Sequence, residues 1–99
     1  MYVVIHCTDR ADGQDMRTAL LPPHIDYVES HRDIIIWAGA RLNSDGTSVI
    51  GSFFVLNVLD QTVANSFSAN DPFTRGGLFQ RVEISRVRRG IFTPDLAKE

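Results

Sequence analysis

The sequence has few of the residues that mark specialised classes of protein. Its single cysteine, Cys7, excludes an internal disulfide and a four-thiolate zinc site, which favours a reduced, cytoplasmic compartment. A net charge of −2 gives no electrostatic footprint for nucleic acid or an anionic membrane. No apolar run approaches the length that crosses a bilayer, and the apolar start of the chain is too short for a signal peptide. We therefore expect no nucleic-acid or membrane partner.

The remaining composition is that of one ordinary folded domain. The chain has 99 residues, of which 43% are hydrophobic and 22% charged. That length supports one hydrophobic core and leaves no room for two. We expect a single domain over residues 1–92 and a flexible tail over residues 93–99.

The order of strand and helix patterns predicts the fold class. Strands are predicted at 2–8, 34–41, 49–58 and from 78 or 79 to 88. Pro22-Pro23 predicts that a helical region over about 14–31 breaks into two pieces, because proline lacks a backbone donor. Asp60 is a predicted cap for a helix with Val63, Ala64 and Phe67 inside, and Asp71-Pro72 predicts a short extra turn that Gly76-Gly77 ends. The result is an α+β, ferredoxin-like βαββαβ sandwich with a four-stranded antiparallel sheet.

The two middle strands predict a homodimer. A sheet with one wet face should alternate apolar and polar residues, but residues 34–37 and 53–56 are apolar at every position. Helices cover only one face, and the apolar patch left on the other exceeds what soluble monomers usually expose. A second copy, packed sheet face to sheet face, is the simplest cover. The alternative is that loops and the tail cover this face, although they are short and polar.

Histidines are the first candidates for chemistry. His24 follows Pro22-Pro23 at a predicted helix start, where the helix dipole favours a neutral imidazole that can act as a general base. The alternative is a histidine that only bonds a nearby carbonyl. His31 lies seven residues further on, about 11 Å along a helix, so these two rings cannot share one metal ion. His6 on the first strand is either a ligand-lining residue of the open sheet face or an interface histidine.

Four more residues complete the candidate site. Asp71 precedes Pro72 and is expected to cap a helix, which leaves one carboxylate oxygen free to orient a histidine. Arg17 either binds a carboxylate or phenolate of a ligand or forms a surface ion pair. Ser52 and Phe73 are expected to line the ligand cleft. No cofactor or phosphate-binding motif occurs, so we expect no cofactor and no metal.

The order of several short motifs resembles the YciI-like (YCII-related) family of the dimeric α/β-barrel group. The similarity runs from the first strand to Val87 and rests on these elements: Asp9, Arg17, Pro23-His24, Ala38-Gly39, Gly51-Ser52, Asn70-Asp71-Pro72-Phe73 and Gly77-Leu78-Phe79. The resemblance implies that the sheets of two protomers pack into a barrel. It also implies an active site that pairs His24 with Asp71. The sequence departs from the family at Gly39-Ala40-Arg41, where members often have Gly-Pro, and we expect Arg41 to alter the rim of the cleft.

The resemblance implies lyase, isomerase or dehydrohalogenase-type chemistry on a small aromatic or oxygenated compound. In this hypothesis His24 transfers a proton and Asp71 fixes its tautomer. The sequence leaves two other interpretations open. One is a non-catalytic dimer that binds a small metabolite or accompanies an enzyme, and the other is a cofactor-free monooxygenase.

Overall fold

A computed structural model describes residues 1–98 of the chain. The strands are β1 (Tyr2–Asp9), β2 (Ile35–Leu42), β3 (Val49–Asn57) and β4 (Phe79–Val87). The helices are α1 (Gln14–Glu29), α2 (Gln61–Asn70) and α3 (Pro72–Arg75), and a 3-10 helix covers Pro94–Ala97. The predicted order of strands and helices is confirmed, with element ends shifted by one or two residues.

The four strands form one antiparallel sheet in the order β2-β3-β1-β4. The two central strands are therefore the first and third in the chain, as in a ferredoxin-like split βαβ unit. Such an arrangement places the ends of β1 and β3 side by side. Cys7 is the neighbour of Ser52, and Thr8 is the neighbour of Gly51.

The core lies between the sheet and the helices. Alternate residues of the central strands are buried on this face, because successive side chains of a strand point to opposite sides. The buried apolar residues of the main core are Val3, Ile5, Cys7, Phe54, Leu56, Val58, Ala64 and Phe67. Val63, predicted to be an inner residue of α2, is instead 37% exposed, since the buried row of α2 is Ala64, Phe67 and Ser68.

Among residues 1–98, no helix lies on the opposite face of the sheet. Phe53 and Val55 of β3 lie on it beside Trp37 of β2, and the Trp37 and Phe53 rings meet edge to face. Tyr2, Val4 and His6 of β1 continue the same surface. Trp37 is 63% exposed. We call this surface the open face.

The predicted break of the first helix at Pro22-Pro23 is wrong, because α1 continues through both prolines. Two proline nitrogens cannot donate to the carbonyls of Thr18 and Ala19 four residues earlier. All four of these residues are exposed, so water can serve the freed carbonyls, and the fixed φ of proline is itself helical. His24 therefore lies in the interior of one 16-residue helix, and the helix-start argument for its neutral form does not apply.

The α2–α3 junction follows the sequence closely. Asp60 caps α2 by accepting from the backbone N–H groups of Thr62 and Val63. Asp71 ends α2 and caps α3, and the Gly76-Gly77 pair ends α3, with Gly77 at φ +81°. A left-handed residue after a helix is the usual place for glycine. In the segment predicted to be a flexible tail, residues 94–97 form the 3-10 helix, and residue 99 lies outside the described residues.

Candidate active site

One side of α1 provides most of a pocket wall. Arg17, Leu21, His24 and Val28 are spaced by four, three and four residues, which places them on one side of a helix. Arg17 is the only buried residue of α1. A core-facing helix normally buries a stripe of apolar side chains, so an inner row built on an arginine and a histidine indicates a site.

His24 is held by the carboxylate of Asp71. Its Nδ1 lies 2.8 Å from Asp71 Oδ1, across 47 residues of sequence. Both groups are sheltered, with side-chain exposures of 13% for His24 and 2% for Asp71. A carboxylate only accepts hydrogen bonds, so Nδ1 carries the proton and Nε2 of a neutral ring keeps its lone pair. The fold therefore makes the pair that the family resemblance implied.

A single oxygen of Asp71 has two roles. Oδ1 accepts the backbone N–H of Phe73 at 2.9 Å, which caps α3, and also accepts from His24. We expected the two tasks to fall on different oxygens, and that expectation is wrong. Pro72 fixes the first residue of α3, so the side chain of Asp71 folds back over the helix start and its Oδ1 meets α1 there.

Phe73 supports His24 but does not line the cleft as predicted. It is fully buried, and its ring stacks on the imidazole with centroids 3.9 Å apart. The guanidinium carbon of Arg17 also lies over this ring, 4.5 Å from its centroid. Phe54 meets His24 edge to face. These aromatic contacts restrict the imidazole to one orientation.

Arg17 is anchored by Asp9 and Ser52. Its Nε and Nη2 donate to the two oxygens of Asp9 at 2.7 and 2.9 Å, and Nη2 also donates to Ser52 Oγ at 2.9 Å. Arg17 and Asp9 are each 9% exposed at the side chain. The ion pair predicted as one option for Arg17 exists, but it is buried and not on the surface.

These groups border a pocket of about 230 Å³ between α1 and strands β2 and β3. Its lining residues are Arg17, Leu21, His24, Ile25, Val28, Glu29, Ala38, Gly39, Ala40, Ser52 and Phe54. A cavity of about 150 Å³ is enough to hold benzene. The pocket therefore has room for one substituted ring, with apolar walls and a few polar side chains.

His6 lies on the open face, as predicted, and Arg41, which was expected at the rim of the cleft, also lies there, on the other side of the sheet from the pocket. His6 is on the open face, where its Nδ1 is 3.6 Å from Glu83 Oε1 and its ring meets Phe53 edge to face. Arg41 lies on the same face and donates to the Cys7 carbonyl oxygen at 2.9 Å. Arg41 therefore does not form the pocket rim, because its strand position points it away from α1.

Cys7 lies close to this cluster as a buried thiol. Burial is the main cause that raises its pKa from 9.0 to about 12, and the charges of Asp71 and Asp9 act in the same direction. A thiol with a raised pKa is a poor nucleophile. Within residues 1–98 no three histidine, cysteine or acidic side chains come together as a metal site requires. No helix in that range is long and apolar enough to cross a membrane.

Comparison with known proteins places these features in a family. The YCII-related domain matches residues 1–88 of the sequence. The chain belongs to the YCII-related family. No curated protein matches the sequence significantly.

The solved structures that are similar to this YCII-related chain include the following two. One is the 5-chloro-2-hydroxyhydroquinone dehydrochlorinase of Burkholderia phenoliruptrix AC1100, in complex with 2,5-dihydroxybenzoquinone. It has 29% sequence identity and a TM-score of 0.83, over 91% of this chain and 96% of that one. The other is PA3566 of Pseudomonas aeruginosa, with 10% identity and a TM-score of 0.54 over 91% of this chain and 93% of that one, which supports the fold alone.

Proposed function

We propose that this protein is an enzyme that transfers protons on a small hydroxylated ring compound without a cofactor, with His24 as its general base. One observation carries the proposal: a histidine on the pocket wall has its inner nitrogen bound by a buried carboxylate. Asp71 fixes the tautomer, leaves Nε2 to take a proton and stabilises the imidazolium that forms. Stacking on Phe73 holds the ring in place between the two proton transfers.

The size and chemistry of the pocket favour a single oxygenated ring. Its walls offer apolar surface, and Arg17 and Ser52 offer donors for ring oxygens. The Burkholderia neighbour is named for a chlorinated hydroxyhydroquinone, and it binds a dihydroxybenzoquinone. We therefore propose hydrogen chloride elimination from a chlorinated hydroxyhydroquinone, or an elimination or isomerisation of the same type.

The proposed reaction balances without an oxidant or reductant. His24 takes a proton from a ring hydroxyl and returns it to the carbon that bears chlorine, which gives a keto tautomer. A second hydroxyl then loses its proton, a new carbonyl forms, and chloride leaves with the electron pair of its carbon–chlorine bond. The net change is loss of hydrogen chloride and formation of a hydroxybenzoquinone. A base that alternates between neutral and charged forms is sufficient for every step.

Chloride release from 5-chloro-2-hydroxyhydroquinone tests this function. We expect the His24→Gln variant to lose about 10²–10⁴-fold in kcat/KM, the range for a general acid–base group. His31→Gln is the matched control, because His31 bonds the carbonyl of Tyr27 and lies outside the pocket. Equal rates for the wild type and the His24 variant would contradict the proposal. A wild type that binds ring compounds but converts none would favour a non-catalytic binding module.

We also propose that two protomers pair through their open faces in the cytoplasm. Support comes from the apolar surface of Tyr2, Val4, Phe53, Val55 and the exposed Trp37, which none of the helices in the described part of the chain covers. A free buried Cys7 suits a reducing compartment. Sedimentation should show a dimer for the wild type and a monomer for Phe53→Glu. A wild type that sediments as a stable monomer at micromolar concentration would contradict the pairing.

A further inference from the structure

We infer that Asp9, Arg17 and Ser52 form a receptor for one anionic oxygen of the ligand, a phenolate or the enolate of a hydroxyquinone. The inference rests on the proposed function, since the receptor borders the same pocket as His24. It adds a substrate property, namely that the enzyme selects the ionised form of a ring hydroxyl. It also gives Asp9 a role as a positioning residue.

The hydrogen bonds of Arg17 leave one nitrogen free. A guanidinium has five N–H donors. Nε–H and one Nη2–H serve Asp9, and the second Nη2–H serves Ser52. Both N–H groups of Nη1 have no acceptor among residues 1–98, although the side chain is 91% buried and borders the pocket. Nη1 is not one of the fully enclosed side-chain atoms that lack a partner, so a ligand or water can reach its two donors.

Ser52 supplies a further donor at the same place. Its Oγ accepts from Arg17 and is buried, so its own proton remains available to a ligand oxygen. A hydroxyl that accepts from a cation is a better donor, because the bonds polarise one another. Arg17 and Ser52 together therefore offer donors to one oxygen. The free N–H groups of Nη1 can donate but not accept, so they favour an oxygen that carries charge and no proton.

Asp9 determines where the guanidinium points. Its carboxylate holds Nε and Nη2 with two bonds, so the plane of the guanidinium is fixed and Nη1 cannot rotate away. The ion pair is neutral overall, so selection depends on directed N–H groups and not on net positive charge. Phe73 lies against the same guanidinium and against the His24 ring, which ties the receptor and the base to one rigid aromatic support.

Calorimetric binding of two matched quinones to the full-length protein at one neutral pH tests the receptor. The first probe is 2,5-dihydroxybenzoquinone, which is anionic at that pH, and the second is its neutral 2,5-dimethoxy analogue. We expect Ser52→Ala to weaken binding of the anion about tenfold, the loss of one hydrogen bond to a charged group. Arg17→Lys keeps the positive charge but loses the planar set of guanidinium N–H donors. It should weaken binding of the anion by about tenfold to hundredfold. Binding of the dimethoxy analogue should change little.

The ratio of the two affinities separates positioning from folding. Asp9→Asn should lower the preference for the anion, whereas a purely structural role would weaken both probes equally. Arg10→Gln is the control, because it breaks an exposed ion pair with Asp12 outside the pocket. A wild type without preference for the anion, or a Ser52→Ala variant that keeps the preference in full, would overturn the inference. His24→Gln should still bind the anion, so loss of turnover in that variant tests the proposed function separately.

Discussion

Replacement of Asp71 should separate the folding role of this carboxylate from its catalytic role. Asp71→Ala removes the acceptor for the Phe73 N–H and for His24 Nδ1, both at sheltered positions. Loss of a helix cap costs about 1 kcal/mol, and loss of a charged hydrogen bond about 1.5–3 kcal/mol. The free energy of unfolding should thus fall by about 3 kcal/mol. For a domain of this size that lowers Tm by about 10–25 °C.

Asp71→Asn should keep most of the stability of the wild type but lose most of its activity. The amide oxygen can still accept from Phe73 and His24, so stability should fall by only about 1 kcal/mol. The charge that stabilises the imidazolium is lost, and a comparable Asp→Asn change beside a catalytic histidine lowers kcat by about 10⁴. Urea unfolding followed by circular dichroism gives the stabilities, and chloride release gives the rates. A folded Asp71→Asn variant with nearly full kcat/KM would refute the catalytic role of the carboxylate charge.

Three further predictions concern stability. Burial raises the pKa of Cys7 above its unfolded value of 9.0, so the unfolded state loses this proton first. The contribution of Cys7 to stability should therefore fall above that pH by about 1.4 kcal/mol per pH unit. Urea unfolding should show this fall for the wild type and not for Cys7→Ala. Gly51→Ala should destabilise by about 1–3 kcal/mol in urea, because a Cβ there collides with the Cys7 carbonyl and Arg41, whereas Gly39→Ala meets no atom within 4 Å and should cost less. The hydrogen bond from Thr62 lowers the pKa of Asp60, so the cap is strongest when the carboxylate is ionised. Thermal melts should therefore show that Asp60→Ala lowers Tm more at neutral pH than at acid pH, where the wild-type carboxylate is protonated.

Local chemistry made the fold predictable. The β-branched strands, the cap at Asp60, and the Asp71-Pro72 start of α3 are short-range signals, and the structure contains all of them. The predicted helix break at Pro22-Pro23 was wrong because the energetic cost of a proline inside a helix depends on its surroundings. An exposed helix side lets water satisfy the freed carbonyls, and a linear sequence does not show which side is exposed.

The candidate site was only partly predictable for the same reason. A break at Pro22 hides that Arg17 and His24 share one side of a single helix, although their spacing of seven residues signals it. The contact of His24 with Asp71 spans 47 residues and follows from the packing of α1 on α3, so only a family resemblance indicated it. Asp9 was recognised as a motif residue but not as the partner of Arg17. His6 was predicted on the open face, as a ligand-lining or an interface residue, and it lies on that face, so the sheet separates it from His24.

The attachment of α1 has a consequence for motion. This helix buries no apolar side chain completely, and a hydrogen-bonded ion pair is its deepest anchor. Segments with few buried apolar contacts open at a lower free energy than the rest of a domain. A ring compound that fills the groove beneath α1 would supply the missing apolar contacts, so occupancy of the groove and docking of the helix reinforce each other. Amide hydrogen exchange along α1 should slow when a ligand is bound, while exchange in β1 and β3 stays constant.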